Sequence, residues 1–170
     1  MTRRSLLKLF GLAPVAAFVG CAEAKDASTN NTAVVSKLSH ADWEKLLPPE
    51  SYRVLFEEAT ERAGTSPLNK EKREGVFVCA ACYNPLFDSD KKFESGTGWP
   101  SFWKPRDAAL GTKIDNTFFS TRTEYHCAHC GGHQGHVFDD GPAPTGLRYC
   151  NNGVALRFIP KGEALPALRG

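Results

Sequence analysis

Two Cys-x-x-Cys pairs constrain the fold of this chain more than any other feature of its sequence. Cys79 and Cys82 form the first pair, and Cys127 and Cys130 form the second, with residues 83–126 between them. Four thiolates satisfy tetrahedral Zn²⁺, and a gap of two residues lets one turn present two sulfurs to one ion. The pattern therefore predicts one structural zinc ion that links two hairpins distant in the sequence.

Three other interpretations of these pairs are open at the level of sequence. They could form two disulfides in an exported protein, hold an iron–sulfur centre, or act as a thioredoxin-like redox motif. No βαβ pattern surrounds either pair, which counts against the redox motif. With four protein ligands, a zinc ion would have no open position for catalysis and would only hold the fold.

Cys150 lies just before the predicted strand 153–159, which Pro160 ends. Residues two apart in an extended chain point to the same side, so Arg148, Cys150 and Asn152 are expected to share a face. A nearby cation favours the thiolate, which is the nucleophilic form of cysteine. The alternative is a small buried cysteine in a core strand, but arginine and asparagine on its face are costly to bury unpaired.

Two histidines follow the second cysteine pair in a glycine-rich turn. His133 and His136 are three residues apart, a spacing at which a turn can bring both rings together. Beside Cys150 they could act as general acids or orienting donors, and Asp140 could fix a histidine tautomer. The alternatives are surface histidines or metal ligands, and the four cysteines make the second of these redundant.

Helices are predicted only near the start of the domain. Ser39 and Asp42 form an N-cap with an acidic partner, which opens a short helix through Leu47. Pro49 suits the first position of a second helix that runs to about Ala63.

From residue 75 onward the pattern changes to short strands and turns, including predicted strands at 76–78 and 117–127. The chain is therefore expected to be mainly β with N-terminal helices (α+β), as a compact antiparallel β-fold. The Gly-rich, aromatic turn around Trp99 could belong to the core or form the wall of a pocket.

The first 24 residues resemble a twin-arginine export signal. Arg3 and Arg4 precede the apolar stretch 9–20, which is too short for a membrane anchor. The signal could end at a lipobox with Cys21 lipidated, or at a small-residue site before Lys25. The alternative is an unprocessed N-terminal helix. Export to the bacterial periplasm is expected, with a lipid anchor and hence membrane attachment only if Cys21 is lipidated.

The predicted organisation is a signal peptide at 1–24, a flexible tether at 25–37, a catalytic domain at 38–163 and a C-terminal tail at 164–170. The tether is rich in Ser, Thr and Asn. A net charge of +2 without a basic stripe argues against a zinc-ribbon protein that binds nucleic acid.

Over about residues 39–161 the chain resembles the methionine-R-sulfoxide reductase B family. The motifs that carry the resemblance are Cys79-x-x-Cys82, Ser95-Gly96-Thr97-Gly98-Trp99-Pro100-Ser101-Phe102, Cys127-x-x-Cys130-Gly131-x-His133-x-Gly135-His136-Val137-Phe138 and Arg148-Tyr149-Cys150-Asn151-Asn152-Gly153-Val154-Ala155-Leu156. The resemblance implies a zinc-stapled β-fold and reduction of the R epimer of methionine sulfoxide, free or in oxidised proteins.

The resemblance also implies a role for each matching residue. Cys150 matches the nucleophile, and His133 and His136 match the active-site histidines, of which we expect His136 to supply the proton. The remaining matches are substrate-binding Trp99 and Phe138, and a supporting polar shell of Arg148, Asp140 and Asn152.

One position departs from the pattern of the family. Many members carry a second, resolving cysteine where this chain has Thr97. We therefore expect an external thiol, either thioredoxin-like or small, to regenerate Cys150 in a monomeric enzyme. The alternative from another class is a non-catalytic, zinc-stapled module that binds a peptide or ligand, but such a module has no need of Cys150.

Overall fold

The computed structural model describes residues 36–116 and 120–170. In these residues two α-helices come first and nine β-strands follow, so the predicted mainly β, α+β fold with N-terminal helices is confirmed. The predicted leader with Cys21, and the predicted tether up to residue 35, lie outside the described residues. Among the residues that are described, no helix is long and apolar enough to cross a membrane.

Both helices begin where the sequence predicts. Helix α1 (His40–Leu46) starts with a capping box, in which Ser39 Oγ accepts from the Asp42 backbone N–H and the Asp42 carboxylate accepts from the Ser39 N–H. Helix α2 (Pro49–Glu57) starts at Pro49, as expected.

The predicted end of α2 near residue 63 is wrong. The helix ends at Glu57 because Glu58 adopts a left-handed conformation, with φ of 55°. The chain after it leaves the helix axis, and Glu61 then contacts Asn152 and Gly153, which follow the strand that carries Cys150.

The strands form two antiparallel sheets. The three-stranded sheet has the order β2-β1-β9 and consists of β1 (Gly75–Cys79), β2 (Pro85–Asp88) and β9 (Leu156–Pro160). The six-stranded sheet has the order β3-β4-β8-β7-β6-β5 and consists of β3 (Lys92–Phe93), β4 (Ser101–Phe102), β5 (Leu110–Asp115), β6 (Arg122–Cys127), β7 (His133–Phe138) and β8 (Arg148–Asn151).

Two predicted strands start later than expected. The strand predicted at 117–127 begins at Arg122, and residues 117–119 lie outside the described part of the chain. The strand predicted at 153–159 begins at Leu156, because Gly153–Ala155 forms a 3₁₀ turn instead. That turn redirects the chain from the six-stranded sheet into the three-stranded sheet.

Aromatic side chains pack the two sheets together. Phe87 of β2 stacks on Phe102 of β4 with ring centroids 4.1 Å apart, and Phe77 of β1 meets Phe102 edge-on at 4.9 Å. Tyr125 of β6 and Tyr149 of β8 extend the cluster with centroids 5.4 Å apart. Burial of a large apolar side chain contributes about 1.5–3 kcal/mol, so this cluster fixes how β8 lies over the core.

The last residues, 164–170, form no regular element but are attached to the first cysteine pair. The Arg169 backbone N–H donates to the Cys82 carbonyl at 3.0 Å, and the Arg169 guanidinium lies 4.5 Å from the ring centroid of Tyr83.

Candidate active site

Strand register places Cys150 beside His136. The two residues are direct partners in the antiparallel pair β7–β8, so their side chains lie on the same face of the sheet. On its other side Cys150 is paired with Ser101 of β4. The candidate nucleophile therefore occupies an inner strand, between a histidine and a hydroxyl group.

A cavity of about 190 Å³ opens next to this thiol. Its lining consists of Thr60, Trp99, Arg122, Gly135, His136, Phe138, Cys150, Asn151 and Asn152. Five of the residues singled out in the sequence are thus brought together, whereas His133, Arg148 and Asp140 do not line the cavity. A larger open groove of about 460 Å³ near Lys161 contains no cysteine or histidine, so the chemistry favours the smaller cavity.

Burial makes the Cys150 thiol a weaker acid than expected from the sequence. Desolvation raises the pKa of Cys150 above its usual range, while the Arg148 charge and a hydrogen bond from Thr97 lower it. Arg148 therefore acts in the predicted direction, but burial outweighs it. The thiol of the free protein is mostly protonated at neutral pH.

Three hydroxyl groups lie beside this thiol. Ser95 Oγ lies 2.7 Å from Ser101 Oγ and 2.8 Å from Thr97 Oγ1, and hydrogen bonding by the Thr97 hydroxyl lowers the pKa of Cys150. Ser101 is fully buried. The position that departs from the family pattern thus carries a hydrogen-bond donor to the candidate nucleophile.

Each of the two candidate histidines contacts a carboxylate that was not predicted from the sequence. His136 Nε2 lies 2.8 Å from Asp115 Oδ2, and His133 Nδ1 lies 3.0 Å from Glu124 Oε1. The second contact lacks hydrogen-bond geometry at Nδ1, although the nitrogen is buried beside the carboxylate. The suggestion that Asp140 orients a histidine is wrong in this structure, because Asp140 pairs with another residue.

That residue is Arg148. Its guanidinium makes two hydrogen bonds to the Asp140 carboxylate, at 2.7 and 2.9 Å, and stacks 4.3 Å from the ring centroid of Phe138. The Arg148 hydrogen bonds hold the pKa of Asp140 below its usual range. Arg148 is therefore held in place against Phe138, which lines the cavity.

Asn152 connects the end of β8 to two other segments. Its Oδ1 accepts from the Glu61 backbone N–H at 2.9 Å, and its Nδ2 donates to the Gln134 carbonyl at 3.0 Å. The Glu61 carbonyl also accepts from Trp99 Nε1 at 2.9 Å. Glu61 therefore fastens the aromatic wall of the cavity to the strand end that follows Cys150.

The four paired cysteines converge at one buried point. Their sulfurs all lie within 4.8 Å of one another, with Cys79 Sγ 3.7 Å from Cys130 Sγ and Cys82 Sγ 3.5 Å from Cys127 Sγ. Sulfurs bound at about 2.3 Å to a tetrahedral ion lie about 3.8 Å apart. The donor set therefore fits a tetrahedral metal ion, and the cysteines are not joined by disulfides.

Two amide side chains support this candidate metal centre. Gln134 Nε2 lies 3.5 Å from Cys79 Sγ, and Asn84 Nδ2 lies 3.6 Å from Cys127 Sγ. Donors of this kind stabilise thiolate ligands. The thiol pocket and the candidate metal centre are thus separate sites, and strand β7 contributes His136 to the first and Gln134 to the second.

Sequence reasoning missed several residues from other segments that either line the pocket or contact its candidate residues. Asp115, Arg122 and Glu124 come from β5 and β6, while Thr60 and Glu61 come from the loop after α2. The alternation of Arg122 and Glu124 along one face of a predicted strand was a usable signal for two of them.

These features define a class of antiparallel β-proteins in which a buried four-cysteine cluster supports a separate thiol pocket. The model of the SelR domain matches residues 47–160, and the chain belongs to this family.

Three curated relatives illustrate the similarity. "Peptide methionine sulfoxide reductase MsrB" of Leptospira interrogans is 52% identical over 121 residues, 71% of this chain and 92% of the relative. The protein of the same name from Agrobacterium fabrum is 51% identical over 123 residues, 72% and 91%. "Peptide methionine sulfoxide reductase B1, chloroplastic" of Arabidopsis thaliana is 49% identical over 124 residues, 72% of this chain and 61% of the relative.

The hydrogen bond from Thr97 generates a prediction about Cys150. A hydrogen bond to a charged group contributes about 1.5–3 kcal/mol, so Thr97→Val should slow alkylation of Cys150 by iodoacetamide about tenfold near pH 8. The rate should rise with pH in both proteins, because only the thiolate reacts, and the midpoint should be higher in the variant. Mass spectrometry of the Cys150 peptide measures the rate.

Thr121→Val is the matched control, since Thr121 is exposed and its hydroxyl bonds Asn116 instead. An unchanged or lower midpoint in Thr97→Val would contradict the assigned role of the hydroxyl.

Proposed function

We propose that this chain reduces the R epimer of methionine sulfoxide, free or in oxidised proteins, and so repairs oxidised methionine. The observation that carries the proposal is the pairing of Cys150 with His136 in a cavity whose other walls include Trp99 and Phe138. The printed names of the relatives support the same reaction. An apolar wall for the methyl group and polar groups for the oxygen would distinguish the two epimers.

In the proposed reaction Cys150 attacks the sulfur of the sulfoxide as a thiolate. His136 gives a proton to the sulfoxide oxygen, because the oxygen is a poor leaving group until it is protonated. The attack forms a bond between the Cys150 sulfur and the substrate sulfur, and the oxygen leaves as water once it has taken up a second proton from solvent. A water molecule then attacks the Cys150 sulfur, which breaks the sulfur–sulfur bond, forms the S–O bond of the sulfenic acid and releases a proton. The substrate sulfur gains the two electrons that the Cys150 sulfur loses, and the products are methionine and a Cys150 sulfenic acid.

Other residues of the pocket support this step indirectly. Arg148 and Thr97 stabilise the thiolate of Cys150 against the effect of burial. His133 lies beside His136 with ring centroids 5.5 Å apart, where it acts as a second polar group. Asn152 and the Arg148–Asp140 pair hold the strand that carries the nucleophile.

We propose that an external thiol returns the sulfenic acid to the thiol. The first thiol would form a mixed disulfide with Cys150 and release water, and a second would displace Cys150 and leave as a disulfide. Thr97 has no sulfur, and the four paired cysteines are occupied with one another in the buried cluster. The reductant could be a thioredoxin-like protein or a small thiol. A non-catalytic binding module is not favoured, since it needs neither Cys150 nor the carboxylate-held histidines.

We propose further that the four-cysteine cluster holds one Zn²⁺. Four thiolate ligands are typical of structural zinc, and bound zinc supplies fixed tetrahedral links between the two cysteine pairs. The cluster takes no part in the proposed reaction, because Cys79, Cys82, Cys127 and Cys130 would fill every position on the ion.

We also propose export. The twin-arginine-like leader supports delivery of the folded, metal-loaded chain to the periplasm, where it would act as a monomer without nucleic acid. A lipid anchor would follow only from lipidation of Cys21.

Turnover of separate R and S epimers of a methionine sulfoxide derivative, with dithiothreitol as reductant, tests the reaction. We expect reduction of the R epimer only, and loss of activity by at least about 10³-fold in Cys150→Ser, because the nucleophile is removed. Chromatographic detection of the reduced product measures the rate. No turnover of either epimer by the folded, zinc-loaded protein would refute the proposal.

The same enzyme preparation also tests how the oxidised Cys150 is returned to the thiol. After one turnover without reductant, the intact mass should rise by one oxygen atom, and a dimedone adduct should map to Cys150. A disulfide from Cys150 to another cysteine of the chain, formed while zinc stays bound, would overturn the external-thiol mechanism.

Removal of one ligand tests the metal proposal. Cys82→Ser should lose bound zinc and cooperative thermal unfolding, because structural zinc contributes about 10–16 kcal/mol in small zinc-dependent folds. Elemental analysis should find one zinc per chain in the wild type and in Cys150→Ser, which serves as the control. Iron with acid-labile sulfide, or a stable metal-free Cys82→Ser, would contradict zinc stapling.

Changing the paired arginines tests export. Replacing Arg3 and Arg4 by lysine keeps the charge, yet it should trap the full-length precursor in the cytoplasm. Cell fractionation and the mass of the mature N-terminus measure the result and distinguish processing at Cys21 from processing before Lys25. Equal periplasmic yield from both versions would refute twin-arginine export.

A further inference from the structure

One carboxylate oxygen connects the candidate proton donor to an arginine. Asp115 Oδ2 lies 2.8 Å from His136 Nε2 and 2.6 Å from Arg122 Nη2. Asp115 ends β5 and Arg122 begins β6, and the two are direct partners in that strand pair. The side chain of Asp115 is only 11% exposed, so both contacts lie in partly desolvated surroundings.

The contact with Asp115 determines which nitrogen of His136 can exchange a proton with a substrate. In a neutral ring, Nε2 carries the hydrogen that Asp115 accepts, and Nδ1 is then an acceptor. His136 can give a proton to a bound sulfoxide and remain bonded to Asp115 only from the doubly protonated ring. A carboxylate at 2.8 Å stabilises that charged ring.

Other groups around His136 act against the charged ring. Burial lowers the pKa of His136 most, the hydrogen bond that His136 donates to Asp115 is the largest opposing influence, and the Arg122 charge lowers the pKa further. The charged and titratable groups that face His136 come from four strands: Asp115 from β5, Arg122 and Glu124 from β6, His133 from β7 and Cys150 from β8.

Arg122 affects His136 in two ways. It repels the protonated ring, and its Nη2 lies 2.6 Å from the same Asp115 oxygen that His136 contacts. Arg122 also lines the cavity, so the pair belongs to the pocket rather than to a distant surface.

We propose that Asp115 is a positioning residue that orients His136 and favours its protonated form for proton donation, and that Arg122 limits this effect by contacting the same carboxylate oxygen. The inference rests on the proposed reduction of methionine sulfoxide. Its specific content is a pair of opposed effects: loss of Asp115 should make His136 release its proton at lower pH, and loss of the Arg122 charge should make it release the proton at higher pH.

A histidine titration by NMR tests this arrangement without turnover. The mature, zinc-loaded protein carrying Cys150→Ser is labelled at histidine, and His136 is assigned from a His136→Asn variant. We expect Asp115→Asn to lower the pKa of His136 and Arg122→Gln to raise it. Asp115→Glu keeps a carboxylate and should restore the wild-type direction.

Kinetics of the otherwise wild-type enzyme provide the second measurement. Proton transfer contributes about 10²–10⁴ to rates, so Asp115→Asn should lower kcat about tenfold or more near neutral pH, with a smaller change in KM. The alkaline fall in kcat should begin at lower pH in Asp115→Asn and at higher pH in Arg122→Gln. If Asp115 had a merely structural role, the alkaline fall in kcat would not shift in opposite directions in the two variants.

Glu74→Gln is the matched control, because Glu74 forms an exposed pair with Lys161 away from the pocket. An unchanged His136 titration in a folded Asp115→Asn would overturn the role of Asp115, and a shift in the same direction in both variants would overturn the role of Arg122. If the wild type reduces neither epimer, the proposed function fails, whereas the NMR titration still decides whether Asp115 and Arg122 act on His136.

Discussion

The four buried sulfurs link the two sheets, and the geometry around the candidate nucleophile depends on that link. Cys79 ends a strand of the three-stranded sheet, and Cys127 ends a strand of the six-stranded sheet. Gln134 extends the connection: its Nε2 contacts Cys79 Sγ, and its Oε1 accepts from Asn151 Nδ2 at 3.2 Å. Asn151 directly follows Cys150. The candidate metal centre and the thiol pocket are therefore chemically separate sites, and the side chain of Gln134 connects them by hydrogen bonds.

The starts of the helices could be predicted because capping is a short-range interaction. Ser39 with Asp42, and Pro49 after another proline, identify both starts from adjacent residues. The end of α2 could not be predicted in this way, because residues 58–63 are compatible with a helix. Contacts of Glu61 with distant segments, including Trp99, override that weak preference.

The candidate site was predictable where its residues share one short segment, and incomplete where they come from different strands. Cys150 and its flanking arginine could be identified from the period of an extended chain. Asp115 and Glu124 reach the histidines only through the register of β5, β6 and β7, which non-local pairing determines. Asp140 is near the histidines in sequence, but β7 ends at Phe138, and the following turn directs Asp140 to the arginine instead.

The hydroxyl of Thr97 has a consequence for the timing of repair. If Cys150 is oxidised as proposed, none of the other described residues that line the pocket carries a sulfur atom beside the sulfenic acid. The oxidised form then lasts until a thiol arrives by diffusion, and its lifetime is inversely proportional to the thiol concentration in the surroundings. The rate of repair would then depend on the concentration of reducing thiols outside the chain. Repair would be fast when these thiols are abundant and would stop when they are exhausted.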